Sequence, residues 1–373
     1  MTHILGIVLV VVWAVGSEAQ PPRQLALGPT TARLDGGFSV LVRVLELADG
    51  RVLVPDGPGR RLLVVDFATN RVEVIGRNGR GPGEYEMPGF PQALGNDSSL
   101  AVELLGRRWY VLHGARIVRT VSADDPALTA LRGTFSSADT LGHVLAKQTP
   151  LLEGEREITL RDSADLVLVD RATGRVERVT RLRRRPLREW RETDATGRVI
   201  RSGSAPTIAS EAEEEALLMP DGWVAVTRLA PFRVDWRRPD GTWVRGAPLA
   251  VPVIRNTARE RAARARRMGP QPAVPPALRM PTATGAAGTL PPYDQGQFAL
   301  LAGADGRLLV RRTPSADAEG TRYWVITRRG TLAGELVLPA TEQIVGSGAR
   351  GVYVAVKDAD DVPWLERRGE VRP

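Results

Sequence analysis

The sequence predicts an all-β protein, a six-bladed β-propeller built of four-stranded antiparallel blades. Three observations carry that expectation. A turn-and-strand signature recurs six times along the 373 residues, a second hairpin follows every copy, and one strand-like stretch near the N-terminus has no partner of its own. Repeats of about 40–50 residues that each read as four strands are what a propeller blade requires.

The first unit spans 38–75, FSVLVRVLELADGRVLVPDGPGRRLLVVDFATNRVEVI. Residues 40–47 alternate along a first strand. Asp49-Gly50 is a tight-turn dipeptide, VLV at 52–54 is a short strand, and LLVVD at 62–66 is a third, nearly all apolar. ATN at 68–70 turns the chain into a fourth strand, VEVI at 72–75. Short runs rich in β-branched residues, bounded by Gly, Asp and Asn, read as antiparallel strands.

The signature recurs as ADGRVLV (48–54), NDSSLAV (96–102), ADTLGHV (138–144), PDGWVAV (220–226), ADGRLLV (304–310) and GARGVYV (348–354). Its aspartates, Asp49, Asp97, Asp139, Asp221 and Asp305, are separated by 48, 42, 82 and 84 residues. The second hairpins include VDFATNRVEV, LVDRATGRVERV and VITRRGTLAGELV. The two long gaps are assigned to insertions at about 182–217 and 250–297; a seventh blade is the alternative that the spacing allows.

The first insertion carries RLRRRPLREWRETDATGRV, a charged segment with room for a hairpin, and an acidic stretch, SEAEEEALL. The second contains NTARERAARARRMG. Asn256 or Thr257 can N-cap a helix there, Ala and Arg fill its interior, and Gly269-Pro270 stops it. Ala258, Ala262 and Ala265 form its expected packing stripe. A proline-rich crossing follows it. Because the last copy reaches Pro373 with little room for an outer strand, LALGPTTARL at 25–34 is expected to supply one and so close the ring.

Hydrophobic residues make up 43% of the chain and charged residues 25%, a balance that supports a large core and argues against wholesale disorder. The net charge is +8, and only Lys147 and Lys357 among the basic residues are lysine. Basic–aromatic interleaving of the kind that binds single-stranded nucleic acid is lacking, so no nucleic-acid partner is expected. With no cysteine, disulfides, thiol nucleophiles and Cys-ligated zinc are excluded. Residues 4–15, ILGIVLVVVWAV, followed by Ser17 and Ala19, fit a secretory signal peptide over residues 1–19, although the stretch before it has no Lys or Arg. The expectation is an exported chain, periplasmic or secreted, forming one propeller domain over 20–373 as a monomer.

The stretch VVDFATNRVEVIGRNGRGPGEYEMP resembles the NHL-type six-bladed propellers, in which a Gly-rich connector leads from one blade into the next. Gly76, Gly79, Gly81, Gly83, Glu84, Tyr85 and Pro88 match that connector. LPPYDQGQFALLAGADGRLLVRR at 290–312 is similar to the lead-in to the fifth blade of secreted bacterial proteins of this group. The resemblance implies the fold; members serve many ends, so it does not imply an activity.

GRNGRGPGEY at 76–85 raises a second possibility, a phosphate cradle. A P-loop needs Lys and Ser/Thr after its last glycine and then a helix, whereas Pro82 and Gly83 follow Gly81 here. The glycines therefore read as a structural connector, whose Arg77, Arg80, Glu84 and Tyr85 are candidates to line a ligand groove. Tyr293 and Asp294 are added from the second motif.

Other chemistries fare worse. After removal of the signal only His113 and His143 remain, too few for a histidine metal site. No G-x-S-x-G elbow supports a serine triad. Six-bladed lactonases and esterases of similar architecture hold calcium with inward Glu, Asn and Asp, and Asp56, Asn96, Asp97, Glu103 and Asp294 are residues of the right type. Aspartates of DG turns, however, also serve local backbone roles. The arginines of 255–267 admit an anionic-lipid contact, but the helix lacks the large apolar side chains that insertion needs. Two readings follow: an exported binding scaffold that presents one rim to a protein, peptide or glycan without a cofactor, or a calcium-dependent lactonase- or esterase-like hydrolase using the central channel.

Overall fold

The structure is a computed structural model that describes residues 22–34, 37–81, 83–103, 108–121, 134–148, 162–184, 187–193, 196, 199–206, 212–268, 288–295 and 298–372. The expected signal peptide, with Ser17 and Ala19, lies outside them, as do Gly269-Pro270 and most of the proline-rich crossing.

Six four-stranded antiparallel blades form a ring. Blade one comprises Leu45–Glu46, Val52–Asp56, Arg61–Asp66 and Arg71–Ile75, within about a residue of the expected turns. Blades two to five start from inner strands Pro88–Gly95, Thr134–Ala138, Ala216–Leu218 and Leu300–Ala302, and blade six from Glu342–Gly348. Each inner strand touches the next in cyclic order, and that of blade six returns to that of blade one. Among the described residues the 82- and 84-residue gaps hold insertions and no seventh blade. Within the first lies the hairpin of Leu187–Thr193 with Val199–Pro206, and within the second lies helix α1, Ala258–Met268.

The core is divided among the seams between blades. Among the described residues six apolar clusters form, one at each seam. Trp236 of blade four and Trp324 of blade five are fully buried in one of them. Burying such a side chain stabilises by roughly 1.5–3 kcal/mol. Buried tyrosine hydroxyls add directional links. The Tyr323 oxygen accepts the Ile344 N–H at 3.0 Å across the seam between blades five and six. Tyr353 of blade six donates to the Glu46 carboxylate of blade one at 2.7 Å.

The ring closes as expected, with one addition. Strand β2, Thr30–Leu34, is the outer strand of blade six, antiparallel to Pro363–Arg368. Strand β1, Gln24–Leu27, goes one blade further back. It extends blade five, parallel to Leu332–Pro339, and itself pairs with Val371–Arg372 at the other end of the chain. The two chain ends cross at Gly28 and Gly369, where Gly28 N–H donates to the carbonyls of Gly369 and Glu370. A Cβ on Gly28 would lie 2.8 Å from the Gly369 Cα, so side chains are excluded there on geometric grounds.

Two expectations need correction. The first strand of blade one is short: its ladder pairs cover only Leu45–Glu46, not 40–47, because Val44 N–H is bonded to Val345 O of blade six. In α1, Ala258, Ala262 and Ala265 are exposed, and Glu260 and Ala263 face the protein instead. The helix is held by polar links. Thr257 Oγ1 caps it by accepting the Glu260 N–H at 3.3 Å, the Glu260 carboxylate accepts the Ala316 N–H, and Arg267 donates to Pro314 O at 3.0 Å. No helix among the described residues is long and apolar enough to cross a membrane.

Candidate functional site

Antiparallel order fixes which chain segments share a face. The tight turns between first and second strands, with Asp49, Asp139, Asp221 and Asp305, lie on one face. The connections from each outer strand to the next inner strand lie on the other, and both insertions belong to that second face. On it, at the start of the inner strands, the axis widens into a cavity of about 180 Å³.

Its walls come from five blades. Arg43 precedes the first strand of blade one, Phe90 and Gln92 come from the inner strand of blade two, and Phe135 and Ser136 from that of blade three. Lys147 stands on the second strand of blade three. Glu215 precedes the inner strand of blade four, and Gln295 and Phe298 precede that of blade five.

The charges are unequally partnered. Lys147 donates to the Glu215 carboxylate. Arg43 has no hydrogen-bond or ion-pair partner among the described residues; its guanidinium lies over the Phe298 ring, 5.5 Å from the centroid. Withdrawal from water lowers its pKa to about 10, so it remains a cation at neutral pH. Phe298 meets Phe90 edge to face at 4.2 Å and holds a backbone φ of +79°. That left-handed conformation is rare for a bulky residue and is strained wherever it is found. Among the described wall residues two cations stand against one carboxylate, a net positive charge.

The rest of the wall is braced from behind. Ser136 donates to Ala216 O at 3.0 Å, tying blades three and four. Glu215 N–H donates to Thr227 Oγ1 at 2.8 Å, and Gln295 accepts the Glu213 N–H at 2.6 Å. Tyr293, wholly buried, donates to Glu213 O and meets Thr227 Oγ1 at 2.9 Å. Burial pushes its phenol well above the usual range, so it stays protonated.

The residues singled out from sequence divide into three places, and none lines the cavity. Arg77 and Arg80 pair with Glu84 and Glu86 on the connector. Glu84 also accepts the Gly81 N–H at 2.7 Å, and Gly79 N–H donates to Tyr85 O at 2.9 Å, so these amides are engaged within the loop and form no phosphate cradle. Gly76, at φ +65°, would set a Cβ 2.7 Å from Gly83 O. Tyr85 is buried, and its oxygen accepts the Leu62 N–H at 3.0 Å. Tyr293 stands behind the cavity wall, and Asp294 pairs with Arg311 at 2.8 Å.

The oxygen ligands considered for calcium are dispersed in the same way. Asp56 pairs with Arg61 and accepts the Ser39 N–H, while Glu103 accepts the Tyr110 hydroxyl and the Glu86 N–H. His143 is bonded to Asp139 within its own turn. Among the described residues no group of three or more His, Asp or Glu is placed to hold a metal ion. Arg43, Lys147, Glu215 and Phe298 were missed. Two faint signals existed: Arg43 is a lone cation in the apolar run FSVLVRVL, and Lys147 is one of only two lysines.

No protein-family model matches the chain, and no curated protein matches it in sequence. Solved structures resemble it in outline only. A member of the DUF4221 family from Bacteroides vulgatus is 9% identical, with 93% of this chain and 98% of that one covered at a TM-score of 0.47. A putative exported protein from Bacteroides fragilis is 10% identical, with 94% and 98% covered at 0.44. A protein described as a putative gluconolactonase is 12% identical, with 93% and 95% covered at 0.46. Likenesses this distant carry no argument about activity.

Proposed function

We propose that this protein is an exported binding scaffold whose ligand site is the axial cavity, with the surrounding connections forming its rim. The single observation that carries the reading is Arg43, a half-buried cation with no hydrogen-bond or ion-pair partner among the described residues, beside an aromatic-lined cavity. Stability alone gives no reason for an unpartnered cation there, since withdrawing it from water is a cost. Convergent polar groups in an apolar concavity at the hub of a rigid ring are the ordinary makings of a ligand site. Export rests on the apolar run at 4–15 and the small residues Ser17 and Ala19.

The test pairs two measurements. N-terminal sequencing of the protein recovered outside the cytoplasm is expected to begin at Gln20; a chain that stays cytoplasmic with Met1 intact overturns export. A thermal-unfolding screen against peptides, glycans and small organic acids is run on the wild type and on a folded Ser136→Trp variant with its cavity filled. Ligands that stabilise only the wild type support the cavity. A ligand that stabilises both equally places the site elsewhere.

A further inference from the structure

We propose that the axial cavity recognises a carboxylate borne on an apolar, phenyl-sized body, with Arg43 as the anion-binding residue. The inference rests on the cavity reading and specifies its ligand.

Three observations converge. The first is charge. Among the described residues lining the cavity only Arg43, Lys147 and Glu215 are charged, and Lys147 and Glu215 satisfy each other. One positive charge remains, matched by a monoanion; a dianionic phosphate would bring one negative charge too many into an aromatic site. The second is donor geometry. The uncommitted guanidinium offers a planar fork of N–H donors, which fits a planar carboxylate with two parallel bonds. The amide of Gln92, which is buried, lines the same space, whereas that of Gln295 is engaged with Glu213 and Tyr293.

The third is the apolar surface. Phe90, Phe135 and Phe298 line the cavity, and all three make ring contacts: Phe90 with Phe298 at 4.2 Å, and Phe135 with Trp109 at 5.2 Å. At about 180 Å³ the space has room for one benzene-sized group plus a carboxylate, since a cavity of about 150 Å³ takes up benzene. The Phe298 ring contacts both Arg43 and Phe90, joining the cation to the apolar wall. Such a ligand comes from two sources, a free aryl-alkyl acid or the carboxyl terminus of a peptide ending in an aromatic residue, and the same contacts serve both.

The experiment is isothermal titration of the mature chain with 3-phenylpropanoate, with the peptide Gly-Gly-Phe as free acid, and with the C-terminal amide of each. Both acids, or one of them, are expected to bind the wild type, with each amide weaker by about ten- to a hundredfold, the range for losing a charged hydrogen bond. Preference for the small acid points to a free metabolite, and preference for the peptide to a chain end. Arg43→Gln, with its fold checked by circular dichroism, is expected to lose the same factor for the acids and nothing for the amides. Acid and amide bound equally by the wild type overturn carboxylate recognition while leaving the cavity as a ligand site. If acids and amides all fail to bind the folded wild type, the inference falls and the cavity reading loses its support as well. The acid–amide comparison needs no variant, so a misfolded Arg43→Gln does not blunt it.

Discussion

The guanidinium of Arg43, ahead of the first blade, lies 5.5 Å from the centre of the Phe298 ring, just ahead of the inner strand of the fifth. Sequence places these residues at opposite ends of the fold, and only ring closure brings them together. The contact is part of the cavity and not of any seam, because neither residue belongs to the six apolar clusters.

Removing that charge is therefore expected to leave the fold intact. Arg43→Met keeps the length of the side chain and ends the cost of a desolvated, unpartnered cation. The unfolding midpoint should stay level or rise by up to about 2 °C, judged at roughly 2–4 °C per kcal/mol for somewhat smaller domains. A clear fall in differential scanning calorimetry would make Arg43 a structural residue.

The tyrosine links across seams give the opposite expectation. Tyr323→Phe removes the acceptor of the Ile344 N–H between blades five and six, where burial has pushed the phenol up to about 12. The loss should cost about 1–2 kcal/mol, read from urea unfolding, with ligand binding at the cavity unchanged. An unaltered midpoint would show that the hydroxyl contributes nothing.

Deleting residues 22–34 tests the closure. Both β1 and β2 would be lost, leaving open edges on blades five and six and stripping the partner of Val371–Arg372. Lower stability by at least several degrees and concentration-dependent aggregation are expected, as for any exposed strand edge. A truncated chain as stable and monomeric as the parent would mean that the remaining edges close the ring unaided.

Acid should weaken the fold through its turns. Hydrogen bonds from Thr69 and the Ala68 amide hold Asp66 below the usual carboxylate range, and the Thr173 and Ala172 amides do the same for Asp170. The Gly81 amide and Arg77 act alike on Glu84. A carboxylate whose folded pKa is depressed contributes stability that is full above its ordinary value and is lost as pH falls through the lowered one. The midpoint is expected to be flat from pH 7 to about 5 and to fall below that. Replacing Asp66 and Asp170 by Asn should flatten the fall; an unchanged profile would assign the acid loss to other groups.

Calcium supplies a final check on the dispersed carboxylates. Asp56 and Glu103 are committed to Arg61 and Tyr110. The unfolding midpoint should be the same in excess calcium and in chelator. A calcium-dependent rise of a degree or more, within reach of the roughly 2.7 kcal/mol gained at 100 times the dissociation constant, would favour the hydrolase reading.

The blades were legible because they are local. Asp49-Gly50 and its counterparts turn the chain within a few residues, and the alternation beside them sets each hairpin without reference to the rest. The unpaired stretch 25–34 announced the closure for a similar reason, since an apolar strand without a neighbour must find one. Its split between two blades was not legible, because nothing local distinguishes the edge joined by β1 from that joined by β2. The helix in the second insertion was readable from its cap and composition, but its packed face was not. Glu260 turns inward to reach the Ala316 amide, a partner that periodicity does not report. The connector of 76–85 was read as structural from its missing Lys and Ser/Thr, and its amides are indeed engaged within the loop.

By itself, then, the sequence determined the repeat, the strand that closes the ring and the charge of the chain, all properties of short segments and their spacing, while the two long gaps left a seventh blade open until the sheet order excluded it among the described residues. Tertiary structure alone brought the candidate site together. The cavity takes its described lining from five blades, one to four residues from each and several of them just ahead of a strand, and the sum of one spare cation and three phenyl rings exists only where the inner strands converge. Contacts of that kind depend on which strands meet at the axis, and no local pattern encodes that meeting.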